Sequence, residues 1–169
     1  MFAALESLAD VALSAIRLFG VPALLVIFLL KGVLLGKIIP TSVCLPGYVL
    51  GIGASYTEAL VVAVLVTAAY LVGQLVVYCW SRRYGSSLFG MAPSVGPESD
   101  DRLTAWFDRY GGLAVVVTNL VPWTRGLIAV PAGVASYPIS RYSVFASTAA
   151  LLAHVVYAVG PVAGLAIVS

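Results

Sequence analysis

The chain has 169 residues, 62% of them hydrophobic and 9% charged, with a formal net charge of +2 and a mean hydropathy of +1.06. Soluble domains carry about 25% charged residues, so the composition excludes a water-soluble globule and points to one integral membrane domain. Apolar runs such as 59–66 lack the period-two alternation of a transmembrane barrel; the expected class is an all-α polytopic membrane protein, with no nucleic-acid partner.

Residues 2–19 read as a helix with Glu6, Asp10 and Arg17 on a polar side, and Val21 to Leu35 continues it into one membrane crossing. The first residues lack a basic region ahead of a short apolar core, so no secretory signal is expected. Residues 36–55 are broken up by Pro40, Pro46, Gly47, Gly51 and Gly53. Each arm is about half a bilayer long at 1.5 Å per residue, which predicts a re-entrant hairpin.

Thr57 to Trp80 is an unbroken apolar run of spanning length, with Gln74 as its main polar interruption. Trp80, Tyr84, Arg82 and Arg83 form an aromatic and basic stop at the interface. A Gly/Pro/Ser linker covers 85–96, and 97–110 has the spacing of a short amphipathic helix. Together with Arg102 and Arg109, these arginines place the 82–111 loop on the cytoplasmic side of the cell membrane.

Gly112 to Tyr137 is apolar, but it contains Pro122, Pro131, Gly133 and, near its middle, Arg125. Each proline removes a backbone donor, and a central arginine costs about 2.5–3.5 kcal/mol on insertion scales. Such sequence is tolerated in a bilayer only where protein or a hydrated cavity receives the freed groups. A second re-entrant hairpin is therefore expected. Ser140 to Val168 is the last span, with His154 inside it and Pro161 and Gly164 expected to bend its end.

The halves rhyme. Gly53 to Tyr56 parallels Gly133 to Tyr137, and each is followed by a span closing on Val-Val-Tyr, preceded by Gln74 in one and His154 in the other. The charge placement makes the repeat inverted, the build of many secondary transporters. Repeat one covers about 17–84, the linker and amphipathic helix 85–111, and repeat two 112–169 of a single domain.

Arg125 carries the clearest chemistry. Its guanidinium stays charged and offers a fork of donors suited to phosphate, and neighbouring broken backbone frees N–H groups that bind anions. The alternative is an arginine tying down hairpin carbonyls. Asn119, Gln74, Tyr48 and His154 are candidate lining residues that could equally be hydrogen-bonding glue between helices. Pro40, Pro46, Gly47, Gly53, Pro122, Pro131 and Gly133 are assigned to hairpin shape. Cys44 and Cys79 read as inert buried thiols, and one histidine without ligand spacing makes no metal site. No enzyme constellation and no cofactor motif is present.

Three blocks resemble the DedA family, also called SNARE-associated or VTT-domain membrane proteins. Pro46-Gly47-Tyr48-Val49-Leu50 through Gly53 is similar to Pro-Gly-acid-x-Leu…Ala-Gly. Gly73-Gln74-x-x-x-Tyr78-x-x-Ser81-Arg82-x-x-Gly85 is similar to Gly-Asp-x-x-x-Tyr-x-x-Gly-Arg-x-x-Gly. Asn119-Leu-Val-Pro122-x-x-Arg125 followed by Pro131-Ala132-Gly133 is similar to Arg-Phe-x-Pro-x-x-Arg…Ala-Gly. The resemblance covers about 20–165 and implies movement of phosphate-bearing lipids, polyprenyl phosphates among them. Tyr48, Gln74 and Asn119 stand where the family has two acids and an arginine, so the proton coupling attributed to the family's acids is in doubt.

The expected function is a flippase for a lipid phosphate, with membrane lipids as partners and a homo-oligomer compatible with the sequence. The alternatives are an ion-independent scramblase and a non-transporting membrane scaffold that keeps the fold.

Overall fold

The computed structural model describes residues 14, 16, 18–33, 41–85, 97–121 and 126–168. Six helices are described in full: α1 (Val21–Gly32), α2 (Thr41–Gly51), α3 (Tyr56–Tyr84), α4 (Pro97–Leu120), α5 (Ala129–Val134) and α6 (Ile139–Val168). No strand occurs among the described residues, as the composition requires. Most of 2–19, together with Pro40, the 86–96 linker and Pro122 to Arg125, lies outside them.

Two helices are long and apolar enough to cross a membrane, Tyr56–Tyr84 and Ile139–Gly164. At 29 residues α3 is about 43 Å long, against about 30 Å of hydrocarbon. A capping box opens it: the Ser55 hydroxyl accepts from the Glu58 N–H at 3.4 Å, and the Glu58 carboxylate accepts from the Ser55 N–H at 2.8 Å. It closes on Arg82 and Arg83, with the Trp80 and Tyr84 rings 5.4 Å apart. By contrast, α2 has 11 residues and α5 has 6, so neither can span.

The short helices end alike. In α2 the Ala54 N–H donates to Val49 O and the Gly53 N–H to Leu50 O. In α5 the Tyr137 N–H donates to Ala132 O and the Ser136 N–H to Gly133 O. Gly53 has φ 61° and Ser136 φ 51°. Both are Schellman caps, in which one left-handed residue lets two orphan carbonyls find partners. The left-handed cap residues are thus Gly53 and Ser136, and Ser136 lies three residues beyond the Gly133 that the sequence rhyme sets against Gly53.

Packing is also paired. α1 lies against α3 and α4 against α6, while α2 packs on α6, α5 on α3, and the two long helices on each other. Exchanging α1 with α4, α2 with α5 and α3 with α6 returns the same set of pairs. Each short helix thus seats on the long helix of the other half.

Several local expectations change. The expected crossing over residues 2–35 is interrupted at Gly20, where φ is 60° and α1 restarts with a proline in its first turn. Pro46 and Gly47 lie within α2, so the helix runs through them and Gly53 ends it. Pro131 is the third residue of α5, where the missing N–H is one of the first-turn donors a helix does not use. The 97–110 helix does end before the apolar segment, as expected, but a second helical stretch follows it directly within α4. The chain turns at Gly111, φ 47° and ψ −130°, and the second stretch continues to Leu120. The last helix runs on through Pro161.

Two glycines bring the backbones of α1 and α3 into contact. A β-carbon on Gly73 would stand 2.8 Å from the Gly32 Cα and collide with the Leu29 carbonyl, while one on Gly160 would meet nothing within 4 Å. Overpacking of this kind costs about 1–3 kcal/mol. Gly73→Ala is expected to lower the thermal unfolding midpoint of detergent-purified protein by several degrees, with Gly160→Ala unchanged or slightly stabilised. Equal midpoints for the two variants would contradict the backbone contact.

Candidate functional site

One face of α3 carries Thr67, Tyr70, Gln74, Tyr78 and Ser81 at three- and four-residue intervals, and all five are buried. This is a polar stripe at helical spacing within an otherwise apolar helix. In hydrocarbon such groups must be satisfied by the protein itself, and the stripe shows how.

Gln74 is the hub. Its side-chain amide nitrogen donates to the Tyr70 hydroxyl at 2.9 Å and to the Asn119 Oδ1 at 2.7 Å. Its carbonyl oxygen accepts from the Tyr142 hydroxyl at 3.2 Å. Asn119 in turn donates to the Val115 carbonyl at 3.0 Å. One residue on α3 therefore ties together α3, α4 and α6, using three of the four hydrogen bonds that a glutamine side chain can make. Gln74 and Asn119 are both fully buried.

Above and below the hub the stripe continues. The Thr67 hydroxyl lies 2.6 Å from Ala63 O and 2.9 Å from the His154 Nδ1. A hydroxyl has one proton. Whether Thr67 gives it to Ala63 O or to the His154 Nδ1 depends on the imidazole tautomer. The imidazole sits edge-on to Phe28 and Tyr70, with centroids at 5.0 and 5.6 Å. At the other end the Tyr78 hydroxyl donates to the Tyr137 carbonyl, in the turn between α5 and α6, and accepts from Arg82 at 3.3 Å. The Tyr78 ring stacks on Tyr142 at 5.2 Å. The Ser81 hydroxyl is buried without a hydrogen-bond partner among the described residues, beneath Gly133 of α5.

Of the residues singled out from the sequence, Gln74 and Asn119 meet directly, and His154 joins their stripe through Thr67 and the Tyr70 ring. Tyr48 stands elsewhere. It is half-buried and lines a cleft of about 680 Å³ with Ile16, Gly20, Val43, Gly47 and Gly51. Gly133 seats α5 against the Tyr78 carbonyl. Arg125 lies outside the described residues, as do Pro122 and Pro40. Its described flanks are the end of α4 at Leu120, one residue past Asn119, and the turn that begins at Gly126 with φ 86°. Thr67, Tyr70, Tyr78 and Tyr142 were not singled out from the sequence, although the 67–70–74–78–81 spacing was there to be read. Among the described residues no three His, Cys, Asp or Glu side chains gather as metal ligands.

Removing Gln74 would break its bond to Asn119 and leave the buried Tyr142 hydroxyl without the partner it has in Gln74. A stranded buried group costs about 1–3 kcal/mol, whereas interhelical hydrogen bonds in membranes average only about 0.6 kcal/mol, with a maximum near 1.7. Gln74→Ala and Asn119→Ala are each expected to destabilise, and the double variant to lose about 0.5–1.7 kcal/mol less than their sum. Strict additivity in a denaturant titration of detergent-solubilised protein would show that the two side chains do not share one interaction.

Comparison with known proteins fits this architecture. The VTT domain family matches residues 26–160. A relative named Undecaprenyl phosphate transporter A, from Staphylococcus aureus (strain NCTC 8325 / PS 47), is 31% identical over 123 residues, covering 69% of this chain and 60% of the relative. The chain thus spans about 60% of that relative's length. No solved structure matches. With a matching model over most of its length, and with buried polar residues standing within the family's motif blocks, the chain belongs to the VTT-domain, or DedA, family of membrane proteins.

Proposed function

We propose that the protein moves a phosphate-bearing lipid, such as a polyprenyl phosphate, across the bilayer, its headgroup passing between the two halves while its tail stays in the membrane. The observation that carries this reading is the Gln74–Asn119 bond between α3 and α4, with Asn119 inside the broken segment and six residues before Arg125, in a chain similar to a protein named as an undecaprenyl phosphate transporter. The paired caps and the exchange-symmetric packing support an inverted repeat in which 36–55 and 112–137 are re-entrant hairpins. The 82–111 loop would be cytoplasmic by its arginines.

In this mechanism Arg125 holds the phosphate and neutral donors share the load. In the conformation described, the amides of Gln74 and Asn119 satisfy each other. Separation of α3 from α4 would free those donors for phosphate oxygens. The exchange is favourable in magnitude, since an interhelical bond worth about 0.6–1.7 kcal/mol is replaced by charge-assisted bonds about twice as strong as neutral ones. Rocking of one half against the other would then carry the headgroup across.

A second reading is favoured by one observation. No acid occurs between Glu58 and the 97–110 helix, or after Asp108. Tyr48 and Gln74 occupy the positions where the family pattern has carboxylates. Without a membrane acid to carry protons, downhill scrambling without ion coupling fits the sequence.

In reconstituted liposomes, Arg125→Ala is expected to slow lipid-phosphate translocation at least 10-fold; undiminished movement would remove the clamp role. Wild-type rates are expected to be equal with and without a pH gradient. Gradient-driven accumulation would instead require a proton carrier. Normal insertion with no lipid movement under either condition would favour a scaffold that keeps the fold.

A further inference from the structure

Where α6 begins, a cleft of about 400 Å³ opens between Tyr137, Ser140, Arg141, Val144 and Phe145. Its lining is graded along the helix. Ser140 and Arg141 lie in the first turn, and Val144 and Phe145 one turn further on, at the three- and four-residue spacing that places side chains on one face. The lining is therefore polar at the start of the helix and apolar one turn further on.

Two features mark the polar end as a site for an anion. Arg141 is exposed, makes no ion pair among the described residues, and stands in the first turn of a 30-residue helix, whose N-terminal N–H groups favour an anion as its own fork of donors does. Independently, Tyr137 is more than nine-tenths buried yet lines the cleft. Its carbonyl accepts from Tyr78, while its own hydroxyl, beside Gly111, makes no hydrogen bond among the described residues. Phe107, from the amphipathic part of α4, packs its ring 5.1 Å from the Tyr137 ring and holds it in place. A phenol without a hydrogen bond among the described residues and an unpaired guanidinium thus belong to residues lining one cleft.

We propose that this cleft is a docking site for the phosphate headgroup and first carbons of a single-phosphate amphiphile. Arg141 takes two phosphate oxygens, the Tyr137 hydroxyl donates to a third, and Val144 and Phe145 cover the start of the chain. The assignment rests on the lipid-phosphate reading only for the identity of the cargo. Its place is different, at the end of α6 rather than at the hairpin arginine, and it would load the headgroup before Arg125 receives it. The Tyr137 carbonyl bonded to Tyr78 connects the cleft to the buried stripe of α3.

Binding in detergent tests the site without requiring transport. Calorimetric titration of purified protein would use farnesyl phosphate, farnesol and inorganic phosphate as probes. Farnesyl phosphate is expected to bind, with the other two at least 10-fold weaker. Arg141→Ala is expected to weaken farnesyl phosphate at least 10-fold and Arg141→Lys about 3-fold. Tyr137→Phe, which keeps the ring on Phe107 and the carbonyl on Tyr78, is expected to weaken it about 3-fold. Both conservative variants should elute as wild type does, so that loss of fold is not mistaken for loss of binding. Unchanged binding in Arg141→Ala and Tyr137→Phe would overturn the site. Equal affinity for inorganic phosphate would overturn the amphiphile assignment, and equal affinity for farnesol the phosphate assignment. The outcome is separable from the function proposed above: Arg141-dependent binding in a protein that moves no lipid would refute transport and leave the site standing, whereas transport with Arg141-independent binding would do the reverse.

Discussion

The structure depends on one requirement: polar side chains inside a bilayer must be satisfied by the protein. Gln74 meets it for three helices at once, giving hydrogen bonds to Tyr70 and Asn119 and taking one from Tyr142. A glutamine facing lipid would cost several kcal/mol; facing three partners, it fixes which faces of α3, α4 and α6 meet. The apolar contacts along these helices are weakly selective, because lipid is as apolar as leucine. Register is instead set by directional bonds and by the Gly32–Gly73 approach, where only backbone fits between α1 and α3.

The same requirement explains the short helices. Neither α2 nor α5 is long enough to cross, so each leaves backbone groups that must be received within the protein. Each ends in a Schellman cap and seats on the opposite long helix. The two halves thereby become mutually dependent: a cap from one half lies against the stripe of the other. Gly133 against the Tyr78 carbonyl, and Tyr78 against the Tyr137 carbonyl, are the clearest case. A molecule built this way has a polar stripe along α3 from Thr67 to Ser81, largely closed by the protein's own bonds, with apolar packing beyond it.

Much of this was legible in the sequence because hydrophobic length and Gly/Pro punctuation are strong signals. The all-helical class, the span of α3 and the break at Gly111 follow from them. What was missed has physical causes. Pro46 did not end a helix, because tertiary packing overrides propensity; α2 runs on to Gly53. The rhyme of Gly53 to Tyr56 with Gly133 to Tyr137 did not show that the left-handed cap residue is Gly53 after one short helix and Ser136 after the other. Tyr70, Tyr78 and Tyr142 were passed over because a tyrosine in an apolar helix reads as bulk, while its hydroxyl matters only when a partner on another helix is known. Gln74 and Asn119 drew attention as isolated polar residues; that they bond to each other is a fact of helix packing that no local pattern carries.

The departures from the family pattern acquire a common sense in the structure. Amides take positions where charged groups would otherwise stand, and two amides can satisfy each other without a counterion, whereas an acid and an arginine would form an ion pair costly to open. The central claim is that the path selects phosphate by one fixed positive charge and neutral donors. The most direct measurement compares movement of a polyprenyl phosphate with that of the corresponding uncharged polyprenol across liposomes containing the wild-type protein. The account predicts that the phosphate crosses at a protein-dependent rate and the alcohol does not. Equal protein-dependent rates for the two would contradict it.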